Sequence, residues 1–110
     1  MTTALREVAL HQRYGTQADE VLLNGNQALV RALVLQRERD RRAGRDTAGY
    51  VTGYRGSPLG GLDQALWSAA DALGAAQVTF EPAVNEDLGA TAVWGTQQLA
   101  VMGDATVDGV

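Results

Sequence analysis

Residues 48–61 read AGYVTGYRGSPLGG, and residues 77–98 read QVTFEPAVNEDLGATAVWGTQQ. Each stretch starts with a short apolar run typical of a buried strand, passes through a loop, and opens a helical pattern. Two successive units of this kind predict an α/β fold with a parallel sheet and right-handed crossovers. Ligands of such sheets bind in the crevice outside the carboxyl ends of the strands. The two loops are therefore the expected location of a functional site.

The apolar spacing along the chain predicts the other elements. The predicted order is an edge strand at 21–23, a helix over 27–43 that stops at Gly44, a strand over 48–53, a helix over 62–73, a strand over 77–81, a helix from Asn85 to about Met102, and the start of a strand at 107–110. The predicted helix faces are Leu29, Val30, Leu33 and Val34, then Leu62, Ala65, Leu66, Ala69, Ala70 and Leu73. We expect residues 1–19 to form a loose tail and residues 20–110 to form one domain. Because the last strand lacks a return helix, we expect the chain to be the front piece of a longer protein.

Composition narrows the classes of function. The chain has 110 residues, enough for one small domain, and its 45 % apolar and 20 % charged residues are ordinary for a globular protein. A net charge of −4 argues against nucleic acid or anionic membranes as partners. The sequence shows neither a signal peptide nor a membrane span, so we expect a cytoplasmic protein.

Several residue types that carry common chemistry are scarce or missing. The sequence has no cysteine, which excludes disulfides, thiolate-bound zinc and iron–sulfur clusters within these residues. All nine basic residues are arginine, which excludes a Schiff-base lysine and a phosphate-loop lysine. His11 is the one histidine, and we expect it at the surface of the tail. No histidine-pair metal site and no serine–histidine–acid triad is therefore predicted.

The first loop, residues 53–61, has the composition of a ligand-binding loop. Its glycines permit a close approach of backbone to ligand, Ser57 offers a hydroxyl, and Arg55 offers a charge for an anion. Pro58 fixes the turn and is suited to begin a helix. The stretch is neither a Walker loop nor a GxGxxG fingerprint. A tight turn without any ligand explains the same residues equally well.

The second loop places Glu86 and Asp87 in the first turn of a helix, with Asn85 as the expected N-cap. Helix N-termini favour carboxylates through the dipole and the free N–H groups, so a purely structural role also explains Glu86. Glu86 nevertheless stands at a strand-to-helix junction, where ligands of open α/β sheets bind. Any catalytic interpretation therefore depends on this residue.

The helix after Glu86 is rich in small residues, namely Gly89, Ala90, Ala92 and Gly95. Two glycines cost a helix about 1 kcal/mol each relative to alanine, which suggests close contact with another helix or a second subunit. We expect Trp94 to anchor an interface or the core and Trp67 to be partly buried. The arginine-rich run at 37–45 is explained by a solvated helix end, with a basic patch for a partner as the alternative.

Three pieces of the sequence, taken together, resemble one enzyme family. They are NGNQALVRALVLQRERDR at 24–41, GYVTGYRGSPLGGLDQALW at 49–67 and FEPAVNEDLGATAVWGTQQ at 80–98. In order and spacing they resemble the amino-terminal region of the long, fused bacterial indolepyruvate ferredoxin oxidoreductases, which are thiamine-diphosphate-dependent. The resemblance covers about Val21 to Val110. It implies an incomplete three-layer parallel-sheet domain, truncated at its C-terminal end, like the pyrimidine-binding domain of thiamine diphosphate enzymes.

The resemblance also implies roles for individual residues. Glu86 matches the catalytic glutamate that hydrogen-bonds N1′ of the aminopyrimidine. The other implied contacts are Gly53, Tyr54 and Gly56 with the cofactor, and Ser57 and Arg55 with the substrate. The family often has proline where this chain has Arg55. A glutamate that shares a proton with N1′ needs a dry site, which we expect the apolar and small residues after it to provide by packing against a partner subunit.

The implied activity is oxidative decarboxylation of an aryl 2-oxoacid, indolepyruvate or similar, to the acyl-coenzyme A, with ferredoxin as electron acceptor. The cofactor carries this chemistry and the protein positions it. The family's diphosphate- and Mg²⁺-binding domain and its 4Fe–4S cysteines are not in this segment, so we expect them in other regions or partner chains. We expect the segment to be inactive alone and to work only as a homo-oligomer or beside a partner domain.

Two other interpretations stay open. The chain could be a non-catalytic interaction or dimerisation module that uses the helix at 86–102 as its surface. This interpretation predicts concentration-dependent association without thiamine diphosphate binding. The chain could also be a generic nucleotide-binding α/β domain. This interpretation depends on the glycine loop at 53–61, which lacks the usual fingerprint.

Overall fold

The computed structural model describes residues 7–110, which form a mixed α/β structure. Over this range, five α-helices and two strands follow a short 3-10 turn at Leu10–Gln12. The elements are α1 Gly25–Arg42, β1 Gly49–Gly53, α2 Leu62–Ser68, α3 Ala70–Ala75, β2 Val78–Pro82, α4 Glu86–Thr96 and α5 Leu99–Met102. None of the helices in that range combines the length and the apolar character that a membrane crossing requires. The α/β class expected from the sequence is confirmed.

Local signals bound α1 at both ends. The Gln27 N–H donates to Asn24 Oδ1 at 2.9 Å and the Asn24 N–H donates to Gln27 Oε1 at 3.0 Å, which is a capping box. At the other end Gly44 has a φ of +76°, and the Arg45 N–H donates to the Asp40 carbonyl at 2.9 Å, as in a Schellman ending. Asn24 is thus the N-cap of α1, and the predicted stop at Gly44 is confirmed.

The sheet is parallel, and helices lie on both of its faces. β1 and β2 pair so that Val51 lies opposite Phe80 and Gly53 lies opposite Pro82. Successive side chains of a strand point to opposite faces. Val51 and Phe80 pack against the core on the face toward α1 and α3, whereas Thr52 points to the other face, where α4 packs on β1.

The core lies between the sheet and helices α1, α2 and α3. Among the described residues, its buried hydrophobic side chains are Val30, Val34, Leu66, Ala69, Leu73, Ala76 and Val78. Fully burying a valine or leucine side chain stabilises a fold by about 1.5–3 kcal/mol. The predicted helix faces are confirmed at most of these positions. Leu29 and Ala70, which were predicted on the same faces, are exposed.

Three predicted elements differ from the structure. The helix predicted over 62–73 is interrupted at Ala69, whose φ of −99° and ψ of 15° separate α2 from α3. The helix predicted to reach about Met102 ends at Thr96, and α5 begins at Leu99. The edge strand predicted at 21–23 is not formed. A strand is defined by its hydrogen bonds to a neighbouring strand. Within residues 7–110 no other strand lies beside residues 21–23, so these residues do not form one.

The segment predicted as the start of a strand joins the sheet through an isolated bridge. Thr47 pairs in parallel with Gly109, and the Ala48 N–H donates to the Gly109 carbonyl at 3.0 Å. The next N–H, that of Gly49, donates to the Gln77 carbonyl at 2.9 Å. Because successive N–H groups of a strand point to opposite edges, the bridge at Gly109 lies on the edge of β1 opposite β2.

The chain before α1 is partly tied to that helix. His11 lies in the 3-10 turn and is exposed, as predicted. The Arg31 side chain donates to the carbonyl oxygens of Arg13 at 2.7 Å and Gly15 at 2.8 Å. Part of the predicted tail, residues 1–6, lies outside the described residues.

Candidate functional site

The two loops predicted to carry a site begin side by side. Gly53 and Pro82 are the last paired residues of the two strands, and the Ala83 N–H donates to the Gly53 carbonyl at 2.8 Å. Parallel strands bring their carboxyl ends to one edge of the sheet. The loop after β1 therefore faces the beginning of α4.

The first loop folds back on itself directly after β1. The Ser57 N–H donates to the Tyr54 carbonyl at 2.9 Å, and Gly56, the third residue of this turn, has a φ of +79°. A positive φ at that position of a turn favours glycine. The turn holds the side chains of Tyr54 and Ser57 at the end of the sheet, where the sequence predicts the site.

The rest of the loop is tied to the start of α1. The Asn26 side chain donates to the Gly60 carbonyl at 3.0 Å. The expectation that Pro58 begins a helix is wrong, because a further turn at 59–61 intervenes and α2 begins only at Leu62. The glycine loop is therefore anchored at both ends by hydrogen bonds to other elements.

The second loop delivers Glu86 as the first residue of α4. Asn85 Oδ1 accepts a hydrogen bond from the Leu88 N–H at 2.9 Å, which confirms Asn85 as the N-cap. The Glu86 side chain turns toward the first loop. There its Oε1 accepts a hydrogen bond from the Tyr54 hydroxyl. Glu86 thus makes a specific tertiary contact in addition to standing at a helix N-terminus.

This hydrogen bond favours the charged form of Glu86. The Tyr54 hydroxyl and then the backbone N–H of Glu86 lower the pKa of the Glu86 carboxyl below its usual value, against a weaker effect of desolvation. Glu86 is exposed. The described chain therefore does not by itself provide the dry site that the resemblance implies, and it favours the ionised carboxylate.

A cleft of about 290 Å³ lies between the first loop and α4. Its lining residues are Thr52, Gly53, Tyr54, Ser57, Pro58, Asn85, Glu86, Gly89, Ala90 and Val93. Of the predicted site residues, the cleft brings together Gly53, Tyr54, Ser57 and Glu86, whereas Arg55 and Gly56 do not line it. The volume is close to the lower end of the range of small-molecule sites, which suits one ring better than a whole dinucleotide.

Some cleft residues were missed by the sequence analysis. Val93 follows Glu86 by two turns of α4, so both side chains lie on one helix face, and helical periodicity is the signal that could have found it. Thr52 lines the cleft from the sheet face that α4 covers. Thr52 lines the cleft only because the helix α4 packs on this face of β1. The sequence does not specify which face of the strand the helix covers.

A larger depression, of about 620 Å³, lies at the other end of β1. Its two carboxylates already accept hydrogen bonds: Asp108 accepts the Asp46 N–H at 2.7 Å, and Asp40 accepts the Thr47 hydroxyl at 2.7 Å. These bonds hold the C-terminal segment and α1 to the start of the strand. The smaller cleft beside Glu86 is therefore the better candidate for a ligand site.

The small residues of α4 have different surroundings. A β-carbon placed on Gly89 would lie 3.4 Å from Ala83 Cβ and 3.5 Å from Thr52 Cγ2, which are ordinary van der Waals distances, so α4 lies close to β1 at this residue. A β-carbon on Gly95 would meet nothing within 4 Å in the described chain. Gly89 therefore lies against β1 and the residue after β2 rather than against another helix, and the predicted contact with a second subunit stays a prediction.

The two tryptophans lie mostly at the surface. Trp67 packs edge-on against Phe80 with ring centroids 4.9 Å apart, but it is 56 % exposed, so it lies more at the surface than the sequence predicts. Trp94 is 64 % exposed, so it is not an anchor of the core. Its predicted role at an interface stays a prediction.

The arginine-rich end of α1 is largely neutralised by its own acids. Glu38 accepts hydrogen bonds from Arg41 at 2.9 Å and from Arg42 at 2.7 Å, and Arg37 pairs with Asp46 at 3.1 Å. Surface pairs of this kind are typical of a solvated helix end. Over residues 7–110, no group of three or more histidine, aspartate or glutamate side chains is placed to hold a metal ion.

Comparisons of the chain with protein-family models, with curated proteins and with solved structures find no match.

Proposed function

We propose that this chain is the pyrimidine-binding part of a thiamine diphosphate enzyme and that the cleft beside Glu86 takes the aminopyrimidine ring. The observation that carries the proposal is the position of the Glu86 carboxylate, on a cleft formed where the loops after two parallel strands meet. Ligand sites at this edge are typical of open α/β sheets. The resemblance to indolepyruvate ferredoxin oxidoreductases supports the same role, because Glu86 matches the cofactor-binding glutamate of that family.

The lining of the cleft fits an aminopyrimidine. Pro58, Ala90 and Val93 offer apolar contacts for a flat ring, and Glu86 offers a carboxylate for the ring nitrogen. The Ser57 hydroxyl lies in the same cleft, where the proposal places the substrate carboxylate. The lining residues include no arginine, so the cleft suits the ring and not the diphosphate. The proposal assigns the diphosphate and Mg²⁺ to another region or another chain.

The cofactor, when bound, supplies the electron sink for decarboxylation of a 2-oxoacid. The proposed overall reaction breaks the bond to the carboxylate, releases carbon dioxide, joins the acyl group to the sulfur of coenzyme A, and passes two electrons to ferredoxin. The proposed substrate is an aryl 2-oxoacid such as indolepyruvate. The task of this chain is to bind and orient the ring and to hold a proton between Glu86 and N1′.

The exposure of Glu86 bears on how the site is completed. A carboxyl that shares a proton near neutral pH needs a higher pKa than Glu86 has in this chain, and burial raises the pKa of a carboxyl. We therefore propose that a partner domain or a second subunit covers the cleft in the working enzyme. This requirement agrees with the expectation that the segment alone is inactive.

The proposal is tested by titrating the ¹⁵N-labelled chain with thiamine diphosphate and, separately, with its hydroxymethyl-aminopyrimidine fragment. We expect both ligands to shift the amide signals of Tyr54, Glu86 and Val93. Glu86→Ala should abolish these shifts, whereas Glu81→Ala, which changes an exposed glutamate outside the cleft, should preserve them. Shifts located elsewhere, or shifts that persist in Glu86→Ala, would overturn the proposal.

A second candidate function is a non-catalytic interaction module. The exposed large apolar side chains around α4 and α5 are Val84, Leu88, Val93, Trp94, Val101 and Met102. The accessible surface is 7778 Å², against about 5,800 Å² expected for a compact monomer of 11.6 kDa. The surplus of about 2,000 Å² on one chain is more than twice the roughly 800 Å² that each partner of a standard protein interface buries.

Sedimentation equilibrium over a range of concentrations tests this second candidate. It predicts association that does not need thiamine diphosphate and that weakens in Trp94→Gln. Trp67→Gln is the matched control, because that tryptophan is similarly exposed but lies on α2. A chain that stays monomeric at every concentration contradicts the interaction module.

A further inference from the structure

Tyr54 and Glu86 are 32 residues apart in the sequence, and their side chains meet at the cleft. The tyrosine belongs to the turn after β1, and the glutamate is the first residue of α4. The Tyr54 hydroxyl donates to Glu86 Oε1. This hydrogen bond joins the two loops through side chains.

The two partners differ in how firmly the chain holds them. Tyr54 is half-buried, its carbonyl accepts the Ser57 N–H at 2.9 Å, and the preceding Gly53 carbonyl accepts the Ala83 N–H at 2.8 Å. A tyrosine side chain has two rotatable bonds, and its backbone is fixed here on both sides. Glu86 is exposed and has a long flexible side chain, which costs up to about 1.5–2 kcal/mol of conformational entropy to order. The tyrosine is thus the fixed partner and the glutamate the mobile one.

We propose that Tyr54 is a positioning residue that holds the Glu86 carboxylate at the cleft for a bound aminopyrimidine. Without the hydroxyl, the exposed glutamate gains more by turning into water than by lying along the loop. A carboxylate has about four acceptor sites, so the contact with Tyr54 leaves others for a ligand. The identity of the ligand rests on the proposed function, whereas the restraint on Glu86 does not.

The chain contains a matched tyrosine for comparison. Tyr50 lies on β1, four residues before Tyr54, and its hydroxyl donates to Glu81 at 3.4 Å. That pair lies outside the cleft beside Glu86. Tyr50→Phe therefore removes a nearby tyrosine hydroxyl without touching the contact between Tyr54 and Glu86.

The test is a carbon-detected NMR titration of the Glu86 carboxyl in the unmodified chain, in Tyr54→Phe and in Tyr50→Phe. We expect the pKa of Glu86 to rise toward its usual value in Tyr54→Phe and to stay unchanged in Tyr50→Phe. We also expect the side-chain rotamers of Glu86 to average in Tyr54→Phe alone. An unchanged pKa and unchanged rotamers in Tyr54→Phe would overturn the positioning role.

A second measurement keeps the proposal testable if Tyr54→Phe does not fold. Replacing the tyrosines by 3-fluorotyrosine makes the phenol a stronger donor without removing it. The pKa of Glu86 should then fall further, because a stronger hydrogen bond favours the charged form. A Glu86 carboxyl that titrates as before the replacement contradicts the proposal.

The failures of the two proposals are distinguishable, because the titration of Glu86 needs no cofactor. If Tyr54→Phe changes Glu86 but thiamine diphosphate causes no shifts at the cleft, the proposed function is wrong and the positioning role stands. If thiamine diphosphate binds equally well to both proteins and Glu86 titrates alike in both, the positioning role is wrong and the proposed function stands.

Discussion

The carbonyl oxygen of Ser57 lies 2.8 Å from the point where a β-carbon would sit on Gly53, and Pro58 Cδ lies 3.3 Å from the same point. Real β-carbons do not approach a backbone oxygen so closely. The loop therefore closes over the end of β1 because residue 53 has no side chain. This closure is what places Tyr54 opposite Glu86.

Gly53→Ala should consequently destabilise the fold, because the new methyl group must displace backbone and not a flexible side chain. We expect a loss of about 1–3 kcal/mol in the free energy of unfolding, measured by urea denaturation. Gly60→Ala in the same loop is the control, since a β-carbon there meets nothing within 4 Å. Equal losses in the two variants would contradict the steric explanation.

Asn85→Ala should weaken the start of α4, because the Leu88 N–H loses its acceptor. The expected cost is about 1 kcal/mol in the free energy of unfolding, read from thermal denaturation by circular dichroism. Gln98→Ala is a matched control, because Gln98 precedes α5 without a side-chain capping bond. Hydrogen exchange at Leu88 should also accelerate in Asn85→Ala. Unaltered exchange there would argue against the cap.

The parts of the fold with local signals were predictable from the sequence. The cap at Asn85 and the stop at Gly44 depend on residues within one turn of the helix end, so a single sequence specifies them. Alternation of strands and helices was sufficient to predict the parallel pairing of β1 and β2 and to place both loops at one edge.

The parts of the fold and of the site that have no local signal could not be predicted from the sequence. The break at Ala69 falls inside an unbroken apolar spacing, and its N–H is shared between the carbonyls of Ala65 at 3.1 Å and Leu66 at 3.2 Å. A sequence pattern does not report such a shared bond. The contact between Tyr54 and Glu86 depends on the side-chain rotamers of both residues and on the distance between α4 and the sheet. Neither property has a signature in residues 32 positions apart.

Gly95→Ala should stabilise the chain. Glycine in a helix costs about 0.8–1.0 kcal/mol relative to alanine, and a β-carbon on Gly95 meets nothing within 4 Å in the described chain. We expect a gain approaching that value in urea denaturation at low protein concentration. Gly103→Ala is the contrasting variant, because its φ of +78° disfavours a side chain. A loss of stability in Gly95→Ala would contradict the open surroundings of Gly95 on which this prediction rests.

Acid should unfold the chain partly through Glu38. Hydrogen bonds from Arg41 and Arg42 lower the pKa of its carboxyl from 4.5 to about 2. Because the folded value lies below the ordinary one, the stabilising contribution is complete above pH 4.5 and is lost as the pH falls toward about 2. The pairs lie at the surface, so salt should screen them.

Glu38→Gln removes this titration. As the pH is lowered from 4.5 toward about 2, the melting temperature of Glu38→Gln should fall less than that of the unmodified chain. The measurement is the melting temperature by circular dichroism at closely spaced pH values. Repeating the series in concentrated sodium chloride provides the control, because screening should bring the two pH profiles together. Profiles that run parallel at low salt would mean that the pairs of Glu38 with Arg41 and Arg42 do not stabilise the end of α1 in solution, and the acid sensitivity of the fold would then belong to other carboxyl groups.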